Sequence, residues 1–313
     1  MDNRDKYIEF CQTNEVDIPL FHQPWWLDAV APGWRATVVE KGGEVVAVMP
    51  YLLKQKWGLK FILPLPLTQK SGPLVKYPEN QKYSRRLAYE KEVFTLLIEQ
   101  LPKFHFFSQN FSHRLKNVLP FYWEGFSARV RYNYVIFPDS KEKIFSAIDN
   151  KRNIKKAEKD GITVSETDDI KLLFSLVKET FNRQNKKLPF DIGLLQRLDK
   201  NLKQHGRRKI QTAYDSQGNL IAANYLVWDN ERVYYLLGGI KTEFTYYRAS
   251  NLLIWRAIEF ATDQGKIFDF EGSMHPGIEK FFRSFGARQE IFFNVYKVRG
   301  KFSCLINCLK PIV

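Results

Sequence analysis

The sequence predicts a mixed α+β protein of two tandem units, each with a mixed, mostly antiparallel sheet flanked by helices. Three observations predict it. The chain has 313 residues, enough for two domains with separate cores. It is 44% hydrophobic and 15% aromatic, which speaks against disorder. Both halves run through a hairpin and then helix, strand and helix, although no residue-level repeat joins them. The joint is placed near Pro138-Asp139, giving units 1–137 and 138–313.

In the first unit, residues 18–30 read as a short buried helix entered by Pro24, with Trp25 and Trp26 most simply in the core. Trp34 to Glu40 and Glu44 to Leu53 flank Lys41-Gly42-Gly43 and form a hairpin. Leu63 to Pro73 is loop, because three prolines and a glycine interrupt it. Ser84 to Leu101 is an amphipathic helix, Phe104 to Phe111 a strand, and His113 to Gly125 a short helix. Ala128 to Phe137 alternates as a strand should.

The second unit opens with a helix over Ser140 to Gly161 that carries Lys151, Arg152, Lys155, Lys156 and Lys159. Positions 152, 155, 156 and 159 share one helical face. Unopposed like charges are tolerated when solvated or matched by an anion, so the face is either plain surface or a phosphate site. Ile162 to Ser165 is a strand, and Asp168 to Asn182 and Phe190 to His205 are helices. Lys209 to Tyr214, Leu220 to Trp228 and Arg232 to Leu237 form a meander turned at 215–219 and at Asp229-Asn230.

The stretch Glu231 to Gly286 carries most of the chemistry. The meander's last strand ends at Gly238-Gly239, and a polar loop runs from Lys241 to Ala249. Ser250 sits where a helix N-cap is expected, and Leu252 to Ala261 is apolar except for Arg256 and Glu259. Gly265 ends that helix. Lys266 to Glu271 is a strand with Phe268 and Phe270 on one face and Ile267, Asp269 and Glu271 on the other. Pro276 suits the first turn of a last helix, Ile278 to Phe285. Burying an ionised carboxylate alone is costly, so Asp269 and Glu271 face a cleft, a helix N-terminus or a basic partner. They either hold loops through nearby arginines or serve as a general base.

The formal charge is +14 and the pI about 9.5, spread along the chain. Such a surface favours a polyanion, whether nucleotide phosphates, tRNA or an anionic lipid head group, or is simply solvated. The charged start, Met1 to Lys6, is not followed by an apolar run and reads as no signal peptide. No stretch approaches the roughly 20 apolar residues of a membrane span. Cys11, Cys304 and Cys308 lack metal-ligand spacing and the five histidines are scattered, so no metal site is proposed. A reduced, cytoplasmic setting is expected. Phe302 to Val313 is apolar but short, and either packs on the body or lies at an interface.

Several motifs carry a resemblance in their order along the chain. They are Gln217-Gly218-Asn219-Leu220-Ile221-Ala222-Ala223, Tyr234 to Gly239, Phe268-Asp269-Phe270-Glu271-Gly272-Ser273, Pro276-Gly277-Ile278, Phe281 and Phe285-Gly286-Ala287. With the basic Lys151 to Ala157 and the opening Leu20 to Leu27, this resembles the Fem-like (FemAB-type) branch of the acetyltransferase (GNAT) superfamily in bacteria. The likeness covers nearly the whole chain. It implies two tandem GNAT-like domains and transfer of an acyl or aminoacyl group to an amine. Two positions depart from the family pattern. The Gly-rich turn of acetyl-CoA enzymes reads Thr245 to Asn251 here, without glycine, leaving backbone donors and Arg248. Where Fem proteins tend to have Phe-Lys, this chain has Phe281-Phe282, with Lys280 and Arg283 beside it.

An amine attacking a thioester or ester needs placement, a proton acceptor and oxyanion stabilisation, but no protein nucleophile. Glu271 is the expected base or amine anchor, Asp269 the second candidate and His275 a proton relay. Arg248, Ala249, Ser250 and Asn251 at a helix start are expected to hold donor phosphates. Lys151, Arg152, Lys155, Lys156 and Arg283 are expected to hold an anionic donor or acceptor. Three functions fit: an acyl-CoA-dependent N-acyltransferase, an aminoacyl-tRNA-dependent transferase acting on a peptidoglycan precursor, and a non-catalytic tRNA- or membrane-binding protein on a decayed transferase fold. No permanently bound cofactor is expected.

Overall fold

The computed structural model describes residues 1–13 and 18–299, so Cys304, Cys308 and the apolar 302–313 segment lie outside the described residues. In chain order the elements are α1 (Asn3–Thr13), α2 (Pro24–Val30), β1 (Arg35–Lys41), β2 (Glu44–Tyr51), β3 (Leu53–Lys56), β4 (Leu59–Ile62), β5 (Leu74–Val75), α3 (Tyr83–Glu99), β6 (Phe106–Asn110), α4 (Leu119–Trp123) and β7 (Ser127–Ile136). Then come α5 (Lys141–Ala147), α6 (Lys151–Lys159), β8 (Thr163–Thr167), α7 (Ile170–Arg183), α8 (Ile192–Gln204), β9 (Arg208–Tyr214), β10 (Leu220–Trp228), β11 (Arg232–Ile240), α9 (Ala249–Asp263), β12 (Ile267–Asp269), α10 (Pro276–Arg283) and β13 (Arg288–Val298). Two units divide the chain: Met1–Arg131 with the chain from Ile291, and Tyr132–Glu290. The first break between these units lies within β7, between Arg131 and Tyr132.

In the first unit, β1, β2 and β5 form an antiparallel sheet. A second sheet runs β3, β4, β6, β13, with β4 and β6 parallel. The amphipathic α3 lays Val93, Phe94, Leu97 and Ile98 against Phe104, Phe107, Phe111, Phe121 and Phe126. Some of the rings meet edge to face, as Phe111 and Phe121 do at 4.8 Å, the arrangement that the ring quadrupole favours.

His22 is sealed in this unit, with Nε2 3.2 Å from the Gly72 carbonyl oxygen. Burial, opposed by the bonds to Gly72 and Ser71 and aided by the Arg114 charge, lowers its pKa to about 4. The unfolded chain then binds this proton first as pH falls from 6.5. Stability should drop by roughly 3 kcal/mol between pH 6.5 and 4 and level off below. Chemical denaturation across that range checks it: in His22→Gln this part of the slope disappears.

In the second unit, β8, β9, β10 and β11 pair antiparallel, β12 adds parallel beside β11, and β7 pairs antiparallel with β12. Side-chain oxygens of Asp169 and Asp191 accept first-turn N–H groups of α7 and α8, which fixes where both helices begin. On one face α7 comes so close to β11 that a Cβ on Gly239 would lie 2.4 Å from the Leu176 carbonyl carbon. On the other, α9 buries Leu252, Leu253, Ile254, Trp255, Ala257, Ile258 and Ala261. Each large apolar side chain there contributes about 1.5–3 kcal/mol relative to exposure.

The expected single helix over 140–161 is two helices. Ile148 turns extended, at φ −76° and ψ 122°. That break re-aims the backbone so that Ile144, Ile148 and Ile154 all enter the same core. The short helix expected at 113–125 covers only Leu119–Trp123, and α1, the β3–β4 hairpin and β13 are additions to the sequence reading. Among the described residues no helix is long and apolar enough to cross a membrane.

Candidate active site

Strands β11 and β12 pair over three residue pairs only, from Arg232 with Ile267 to Tyr234 with Asp269. β11 continues to Ile240, while β12 stops and the chain turns away through Glu271 and Gly272. Beyond Tyr234 that edge of β11 has no β12 partner. A bulge follows at once: Tyr235 pairs with Leu226 and Leu237 with Tyr225, leaving Leu236 without a partner on β10. Bulges add local twist and re-aim side chains, and this one lies where β12 ends beside β11.

Charge sits where the pairing ends. Asp269 is 0% exposed. Its Oδ2 accepts from Arg232 Nη1 at 3.0 Å and its Oδ1 accepts the Glu271 N–H at 2.7 Å. Arg232 also forks onto Glu290, at 2.8 and 3.0 Å. Burial alone would lower the Arg232 pKa, but the bonds and charge of Glu290 and Asp269 outweigh it and raise it. This cation is the charge match that lets Asp269 stay in the interior.

Glu271 is 9% exposed and left-handed, at φ 61°. Gly272 follows at φ 72°, where a Cβ would lie 2.3 Å from the Tyr132 carbonyl oxygen. The close approach to β7 therefore requires glycine at 272. At 271 the left-handed backbone costs a non-glycine residue about 1–2 kcal/mol. The Asp269 carboxylate, bonding two residues ahead, holds it there. The expected strand over 266–271 ends at Asp269 for this reason.

Around the turn lie Phe270 and Phe282, with ring centroids 4.6 Å apart, and Tyr235, edge-on to Phe282 at 6.4 Å. The Tyr235 hydroxyl lies against Gly238, where a Cβ would be 1.7 Å away, and has no hydrogen-bond partner among the described residues. Burial pushes its pKa up to about 12, so it stays a protonated donor. His275 is exposed and N-caps α10, its Nδ1 accepting from Gly277 N–H at 3.2 Å. Arg283 is exposed too, and its Nε lies 2.9 Å from Glu279.

A second group gathers at the start of α9. The residue before the helix is Arg248, not Ser250 as expected, and it takes the left-handed conformation, at φ 58° and ψ 20°, that glycine adopts most readily. It can do so because its side chain is tied down: Nε donates to Asn153 Oδ1 at 2.8 Å and Nη1 to the Tyr246 carbonyl at 3.1 Å. Ala249 and Asn251 are buried, Ser250 is half-buried, and Asn251 Nδ2 has no hydrogen-bond partner among the described residues.

The Arg248–Asn153 bond joins this helix start to α6, which also packs Ile154 and Ala157 into the core. The opposite side of α6 is an open depression lined by Lys151, Arg152, Lys155, Lys156 and Lys159. Lys156 reaches Asp160 at 3.5 Å, and Lys151 donates to the Ser146 carbonyl at 2.8 Å. Arg152, Lys155 and Lys159 form no ion pair among the described residues. The structure thus sets Asp269 and Glu271 in one turn with His275 capping the next helix, and ties Arg248 to Asn153 on the helix that carries the basic face. Arg232 was not singled out from sequence, and Tyr235 entered only as part of the Tyr234 to Gly239 motif. An arginine heading an otherwise apolar strand was the available signal for the first.

Residues 149–283 match the family model described as acetyltransferase (GNAT) domain. Among solved structures, the chain is similar to FemX, at 16% identity and TM-score 0.63 over 93% of this chain and 95% of that one. It is similar to L-PGS from Bacillus licheniformis, at 13% identity and TM-score 0.54, covering 96% and 94% of the two chains. It is also similar to a tandem GNAT protein from the clavulanic acid biosynthesis pathway, at 11% identity and TM-score 0.51, covering 95% and 94%. No curated protein matches the sequence. Residues 149–283 thus match an acetyltransferase (GNAT) domain, and the chain shares its overall fold with FemX and with the tandem GNAT protein.

Proposed function

We propose that the second unit transfers an acyl group from acyl-CoA to a primary amine, forming an amide. The observation that carries this reading is the end of β11–β12 pairing at Asp269, with Glu271 held in a left-handed turn just beyond it. Glu271 takes the proton from the attacking amine, or anchors the ammonium before it is lost. Asp269 and Arg232 hold the turn that aims it. The β11 edge beyond Tyr234 lines the donor's acyl end, and the neutral Tyr235 phenol donates to the departing thiolate. His275, with one ring nitrogen used in the cap, presents the other to solvent as a relay. The first turn of α9 with Arg248 receives the donor phosphates.

One observation favours a second donor. The α6 face has more unmatched cations than a CoA pyrophosphate requires, and a Fem-type transfer from aminoacyl-tRNA to a peptidoglycan precursor would use them, with Arg283 nearby in sequence to α10's acid and open to the acceptor. The two donors separate in one experiment. Saturating CoA should raise the melting temperature, with about 2.7 kcal/mol of stabilisation at a hundred times its Kd. Salt-sensitive binding of charged tRNA without a CoA response selects the second donor. Binding of tRNA with no transfer to any amine would leave a binding protein on a transferase fold and overturn the catalytic reading.

A further inference from the structure

The β3–β4 hairpin turns through two residues, Trp57 and Gly58, at φ 50° and 73°. Positive φ at both positions is the turn that suits the twist of a hairpin, and asparagine followed by glycine is its favoured sequence. A bulky residue at the first position is a steric outlier. Trp57 sits there 85% exposed, and the Lys56 ammonium stands 4.2 Å from its ring centroid. The molecule thus keeps a large aromatic in a strained conformation at a protruding tip, with no core to fill. Strain of this kind points to a use outside the fold.

The stem supplies the second half of the observation. The register pairs Lys54 with Phe61, Gln55 with Lys60 and Lys56 with Leu59. Lys54 and Lys56 therefore lie on one face and Lys60 on the other. None of the three forms an ion pair among the described residues. Lysines do blunt edge strands against pairing, which accounts for Lys54 and Lys56 on the edge strand β3. It does not account for Lys60 on the inner strand β4, nor for the tryptophan. An apolar tip with cations on both faces below it fits a planar anionic surface entered tip first. Tryptophan settles at the head-group level, and lysines at that depth meet the phosphates. Single-stranded nucleic acid is better served by a basic groove with several stacking rings in series, and a convex tip has only one.

We propose that the Trp57 hairpin is a docking element for an anionic lipid bilayer. The test is flotation of the full-length protein with vesicles of phosphatidylcholine doped with phosphatidylglycerol. Wild type should float with the doped vesicles, lose binding at high salt, and float poorly with phosphatidylcholine alone. Changing Lys54, Lys56 and Lys60 together to Gln should weaken binding about a hundredfold. Trp57→Asn should weaken it about tenfold while raising the melting temperature, because asparagine relieves the turn. That opposite movement separates a docking role from a structural one. Wild type that ignores the doped vesicles, or a Trp57→Asn protein that floats as well as wild type, would each overturn the proposal.

Discussion

Glu271→Gln is expected to leave the melting temperature near that of wild type and to slow amide formation by a factor of about 10² to 10⁴. The fold should survive because the main-chain bond that holds the turn is Asp269 Oδ1 to the Glu271 N–H, which the substitution does not touch. Glutamine keeps the shape of the side chain and loses only its ability to accept a proton and to match an ammonium. The left-handed backbone at 271 sharpens the case. Asparagine occupies that conformation more readily than glutamate, so Glu271→Asn should be somewhat more stable than wild type and still slow. A residue kept against its local conformational preference is one whose side chain is needed. Thiol release from acyl-CoA in the presence of an amine, followed in single turnover, separates the chemical step from binding. A Gln variant with the wild-type rate would remove Glu271 from the reaction.

How much of this was legible in the sequence depends on the distance over which each feature is determined. The meander 208–240, the apolar helix after it and the helix opened by Pro276 follow from periodicity and turn residues, and they stand in the structure within a few residues of their expected ends. The mixed, mostly antiparallel sheets flanked by helices stand as well. Features set by tertiary contacts were not legible. Arg248 replaces Ser250 before α9 because Asn153, far away in sequence, holds its guanidinium. The helix over 140–161 breaks because three isoleucines must reach one core. Asp269 and Glu271 look equivalent as strand residues two apart. Only the Arg232 contact and the backbone turn at 271 distinguish an interior carboxylate that orients its neighbour from the neighbour it orients. Strand β13 was overlooked although Arg288 to Val298 is rich in β-branched and aromatic residues; its Arg-Gln-Glu start hides the pattern.

Arg232→Met should destabilise the second unit by about 3–5 kcal/mol, because it removes the cation matched to an interior carboxylate. Asp269 has no exposed surface through which water could take over. Glu290, whose side chain is 18% exposed, is better able to rehydrate, so most of the loss should trace to Asp269. In a unit of this size that corresponds to a fall of roughly 10 °C in the melting transition. The double variant Arg232→Met with Asp269→Asn tests the cause. A neutral amide still offers an oxygen to the Glu271 N–H and no longer needs a counter-charge, so the double variant should recover about 1–3 kcal/mol over Arg232→Met alone. Arg232→Lys should fall between wild type and Met, since an ammonium supplies charge without the planar fork that grips Glu290 at two points. Differential scanning calorimetry of the four proteins measures the loss and its recovery directly. If the double variant melts no higher than Arg232→Met, the loss comes from packing around the guanidinium stem and not from the buried charge. The Arg232–Asp269 pair would then not be what fixes the turn at Glu271.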